Sequence, residues 1–147
     1  MALDMAIFLP HRPVPATLDM EDRITLWCLR TWLCCAQSGK SPRRALFHGL
    51  MPLGLESWSR TVGLFMEAAV SAWPEPLRMH PVGCGCPISY DESLLLFCVD
   101  TAALGARAPF DAVLADMTAA AERDRLWSAA RRLRTGERIN LRERSQP

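Results

Sequence analysis

What most constrains this chain is the spacing of its apolar residues. Leu55, Trp58, Val62, Phe65 and Ala69 recur every three to four positions, the interval that stacks side chains on one face of an α-helix. The same interval returns at Phe110, Val113, Leu114 and Met117, and again at Leu126, Ala130 and Leu133. No segment alternates apolar and polar residues with the period of two that a half-buried strand requires. The sequence therefore predicts an all-α fold, a single-domain bundle of about five helices with short connections.

Start and stop signals divide the chain. Asp19, followed by Glu21 and Asp22, supplies a capping oxygen and two acids where the helix dipole favours them. That first helix runs through ITLWCLRTWLCCAQ to Gly39, a natural C′ residue. It is apolar nearly all round, interrupted by Arg30, and is expected to be the most buried element. Ser41-Pro42 opens a second helix that ends before Pro52. A third runs from about Leu55 to Trp73, where Pro74 and Pro76 stop it. Ser89 and Glu92 form a capping-box pattern and predict a fourth helix reaching Gly105. Pro109 marks a fifth, continuing to Gly136 either unbroken or with a break among 119–121. Residues 1–18, with Pro10, Pro13 and Pro15, read as an extended arm, and residues 137–147 as a flexible polar tail.

A single domain spanning 1–147 buries roughly 70% of the surface its unfolded chain exposes. Neither a metal nor a disulfide is then required for folding. The net charge of +1 provides no global field toward nucleic acid or a membrane. Residues 120–147 do carry eight arginines against four acids. The acids are interspersed, with Glu122 placed to pair with Arg125, so a solvated helix is favoured over a nucleic-acid site. The N-terminus lacks the basic region of a signal peptide, and no apolar run approaches the roughly 18 residues of a membrane span. A cytoplasmic protein without membrane association is expected, with its six cysteines reduced.

The longest irregular segment, 74–88, contains HPVGCGCP. Thiolates and imidazole are ligands for zinc, which takes four donors in a tetrahedron. Cys84 and Cys86 are the expected metal ligands, with His80 as a third. The fourth would come from Cys98, Cys34, Cys35 or His48. Cys-x-Cys departs from the common Cys-x₂₋₄-Cys spacing and has no second pair. Two other readings stand beside zinc. An ordinary turn uses the same glycines and prolines. The third is redox or disulfide chemistry, in which a reactive thiolate would need positive charge nearby; Arg78 is the nearest source, and this reading ranks below the metal. Cys28, Cys34, Cys35 and Cys98 lie in apolar helical runs and read as core residues.

Other motifs fall away. Gly39-Lys40-Ser41 resembles the end of a P-loop, but Cys34 stands where the leading glycine belongs and a helix precedes it. Gly83-x-Gly85 lacks the third glycine of a dinucleotide fingerprint, with Ile88 in its place. There is no Glu-x-x-His of a di-iron bundle. No catalytic residues emerge, and an enzyme is not indicated. A helical interaction protein, a metal-free homodimer, is the alternative, since Trp27 and Trp32 lie on different faces of the first helix.

HPVGCGCP followed by SYDESLLLF, within the stretch from Leu46 through Val99, resembles a family of small helical proteins from sphingomonad-type alphaproteobacteria, of unknown function. Cys84, Cys86 and Pro87 match that family's cysteine-rich loop ending in proline; Gly85 stands where many members carry a further cysteine. The resemblance implies a cysteine cluster at this loop and no particular activity.

Overall fold

Asp19 starts the first helix as its side chain dictates, its Oδ1 accepting the Asp22 N–H at 2.8 Å. The structure, a computed structural model, describes residues 12–144, with side chains through residue 133. Among the described residues there are six α-helices and no strand. They are α1 (Met20–Gln37), α2 (Pro42–Leu50), α3 (Trp58–Ala72), α4 (Tyr90–Ala103), α5 (Arg107–Leu114) and α6 (Ala120–Arg144). No described helix is long and apolar enough to cross a membrane.

The sixth helix comes from a break in the expected fifth, at residues 115–119. Two hydrogen bonds fix this break. Thr118 Oγ1 donates to the Leu114 carbonyl at 2.7 Å, and Arg123 Nη1 donates to the Thr118 carbonyl at 2.6 Å. The last helix does not stop at Gly136 but runs on to Arg144, through arginine, glutamate and leucine, which are good helix formers. Residues 1–11 of the expected arm and 145–147 of the expected tail lie outside the described residues.

α3 and α4 both pack against α6, and α1 packs against α2 and α3. Leu29, Val62, Phe65, Leu94, Leu95, Phe110 and Leu126 close the shared core with no exposed surface. A second, small cluster joins Leu26, Ile88 and Leu96, with Leu18 of the arm lying over it. The most buried element is α4, not α1: nine of its fourteen residues are buried. α1 keeps one end in solvent, and the Arg30 that interrupts its apolar surface is itself buried. The expected Glu122–Arg125 pair does not form, and Glu122 Oε2 has no hydrogen-bond partner among the described residues. Arg107 instead ties the C-terminal helices together, bonding Asp111 at 2.8 Å and Asp124 at 2.5 Å and lying over the Trp127 ring.

Candidate functional site

Between α3 and α4 the chain from Trp73 to Ser89 has no regular secondary structure, yet it is tied down along its length. Asp91, in the first turn of α4, accepts the Trp73 indole N–H on Oδ1 at 3.2 Å and the Arg78 backbone N–H on Oδ2 at 2.7 Å. The Ser89 hydroxyl donates to the Arg78 carbonyl at 2.7 Å. Beyond the cysteines, the Ile88 N–H donates to the Pro13 carbonyl of the arm at 2.9 Å. At the centre, Arg30 Nη1 donates to the Cys84 carbonyl at 2.9 Å.

Arg30 reaches that carbonyl because Glu92 holds it. Its Nε donates to Glu92 Oε2 at 2.5 Å and its Nη2 to Oε1 at 3.1 Å, a two-pronged pair in which neither side chain is more than 3% exposed. Glu92 Oε1 also accepts the Ser89 N–H at 2.9 Å, and the Ser89 hydroxyl accepts the Glu92 N–H at 3.1 Å, completing the expected capping box. The cap of α4 and the clamp on the loop are thus one carboxylate. Sequence reasoning took Glu92 only as a cap and Arg30 only as a gap in an apolar surface. The signal was present: a charge inside an otherwise apolar helix must find a buried partner.

The loop's own shape comes from a turn. The Cys84 N–H donates to the Pro81 carbonyl at 3.1 Å, and Gly83 has φ +84°. That is a type II turn, whose third residue needs the left-handed region glycine enters freely. Gly85 adopts no positive φ, and a Cβ built there meets nothing within 4 Å.

This turn brings three predicted residues together. One ring nitrogen of His80 and the Sγ atoms of Cys84 and Cys86 all lie within 4.8 Å of one another. The two sulfurs are bonded to each other, with Cα atoms 5.7 Å apart. The expectation that all six cysteines are reduced therefore fails at this pair and holds for Cys28, Cys34, Cys35 and Cys98. In the folded chain the two stand two residues apart, and none of the other four cysteines joins them. None of the four expected fourth donors joins the group. Cys98 is fully buried in α4, where desolvation pushes its thiol far above the ordinary value and keeps it protonated. Cys28 is equally buried. Cys34 is exposed and Cys35 half-buried at the end of α1, so the core reading fails for both. His48 is exposed, its ring edge-on to Phe47.

A disulfide closing so small a ring does little for the fold. For a three-residue loop the chain-entropy relation gives about 1.6 kcal/mol, against roughly 3 kcal/mol for a 15-residue loop. Cys86 and its neighbours Gly85 and Pro87 are exposed and Cys84 is half-buried, and exposed disulfides are the exchangeable ones. The arrangement has two chemical states, an oxidised ring and a dithiol beside an imidazole. No family model, curated protein or solved structure matches the chain.

Proposed function

We propose that the chain is a small helical, non-enzymatic metal-binding module whose site is His80, Cys84 and Cys86 in the dithiol form, with zinc as its ion. The observation that carries this reading is the convergence of one imidazole nitrogen and two sulfurs within 4.8 Å. Tetrahedral zinc with sulfur ligands at ≈ 2.3 Å places two sulfurs about 3.8 Å apart. Cleaving the disulfide would free the two side chains, whose Cα atoms stand 5.7 Å apart, to open toward that separation. Three protein donors leave one position open, the pattern of an exchangeable or ligand-accepting site rather than a closed structural one. Bound zinc would supply a Lewis-acidic centre at that open position.

The test is elemental analysis of untagged protein purified under strong reductant without chelator. Near-stoichiometric zinc, lost in Cys84→Ser/Cys86→Ser and weakened in His80→Ala, is expected. Metal-free protein with all six thiols titratable after denaturation would overturn the reading.

A second reading rests on Phe47, Met51 and Leu53, close together in sequence and each more than 40% exposed. Such apolar residues on a surface mark a contact face, here one for a homodimer independent of metal. Light scattering that reports a monomer at all concentrations would dispose of it.

A further inference from the structure

Beside the loop lies a cleft of about 460 Å³, in the range of small-ligand sites. Its lining includes Arg12 of the arm, Arg78 and His80, with Trp73 as an aromatic wall. His80 borders the cleft, and one of its ring nitrogens also stands within 4.8 Å of both loop sulfurs. Neither cysteine lines the cleft itself, and His80 is the residue that the cleft and the sulfur pair share.

Its formal charges balance, and the cleft is distinguished by which of them are already engaged. Two carboxylates line it, Asp91 and Glu75. Asp91 is committed, one oxygen to the Trp73 indole and the other to the Arg78 backbone. The guanidinium groups of Arg12 and Arg78 form no ion pair among the described residues. Arg12 and Arg78, which line the cleft and have no ion-pair partner among the described residues, suit a carboxylate or phosphate ligand held by paired N–H donors.

We propose that this cleft binds a small anionic thiol and delivers it to the Cys84–Cys86 disulfide for thiol–disulfide exchange. The ligand's carboxylate sits on Arg12 and Arg78. Its thiolate attacks Sγ of Cys86, the more exposed residue of the two. The S–S bond breaks and Cys84 leaves as a thiolate, so the negative charge passes from ligand to protein. A second thiolate attacks the ligand sulfur of the mixed disulfide and releases Cys86 as a thiolate. Two thiols are oxidised to one small disulfide, and the protein ring is reduced to the dithiol. The step concerns the oxidised loop and needs no metal, so it stands or falls separately from zinc binding.

The experiment measures second-order reduction rates of the oxidised full-length protein, quenched by alkylation and read by mass spectrometry. The probes are 3-mercaptopropionate and glutathione as anionic thiols, 2-mercaptoethanol as neutral and cysteamine as cationic, each corrected for thiolate fraction and basicity. The anionic thiols should react about tenfold faster than the neutral one, with the cationic thiol slowest. The advantage should vanish in Arg12→Gln/Arg78→Gln, and propionate should compete against the anionic thiols while leaving 2-mercaptoethanol unaffected. Equal corrected rates for all four thiols, or an anionic preference that survives the double substitution, would overturn the proposal. So would freely titratable Cys84 and Cys86 in protein prepared without reductant. Both arginines lie at the surface or half-buried, so the variants should keep the fold, as their thermal melts will report.

Discussion

Arg30 and Glu92, 62 residues apart in sequence, form a buried two-pronged ion pair whose remaining Arg30 donor grips the carbonyl of Cys84. The pair joins α1 to α4 and fixes the loop against both. Its stability contribution is asymmetric. Removing both charges is tolerable, whereas removing one leaves the other buried without a partner.

Arg30→Met alone should therefore cost about 3–5 kcal/mol, read as a shift in urea midpoint. Arg30→Met with Glu92→Leu should recover part of that loss, giving a coupling energy of about 1 kcal/mol or more. Strict additivity of the two single changes would show that the pair is not acting as a unit.

The two loop glycines should respond differently. Gly83 occupies φ +84°, where a Cβ costs roughly 1–2 kcal/mol, so Gly83→Ala should destabilise. Gly85→Ala meets open space and should stay within about 0.5 kcal/mol of the parent. Thermal melts of the oxidised proteins decide it; the opposite ranking would refute the turn assignment.

Gly49 on α2 offers a sign reversal. Glycine to alanine inside a helix ordinarily gains up to about 1 kcal/mol. Here the new Cβ would clash with the Trp27 ring, and overpacking of this kind costs about 1–3 kcal/mol. Gly49→Ala should therefore destabilise, and in a Trp27→Leu background the same change should become neutral or favourable.

Alkaline pH should weaken the fold through Cys98. Desolvation raises its thiol above the ordinary value of 9.0, so the folded state keeps the proton that the unfolded chain releases. The stabilisation is complete below about pH 9 and is lost above it, at up to about 1.4 kcal/mol per pH unit. Cys98→Ala should flatten that slope in urea titrations between about pH 8 and pH 10, whatever its uniform cavity cost. An unchanged slope would mean the thiol is not withheld from solvent.

The helices were legible because capping and apolar spacing act within a few residues. Asp19, Ser41 and Ser89 each cap the helix their sequence position announces. The break before α6 was harder to place, because Thr118 and Arg123 set it through bonds that no apolar period records. At the site, His80, Cys84 and Cys86 were legible as a group from their spacing. The bond between the sulfurs was not, since expecting reduced thiols followed from an assumed compartment rather than from local geometry. Arg30 went unrecognised for a related reason. Its role depends on a partner 62 residues away, and only the tertiary fold brings the two together.

The clamp also orders events as the chain is made. Synthesis completes α1 long before residue 92 emerges, so Arg30 begins as a solvated cation on a helix with nothing to grip. Cys34 and Cys35 are by then already available, and Cys84 and Cys86 join them as mobile thiols. Loop closure across 54 to 62 residues is among the slower contacts a helical domain forms. Until α4 docks, any of these thiols can pair with another. Once it docks, Arg30 holds the Cys84 carbonyl, and the loop that carries both cysteines takes its fixed place against α1 and α4.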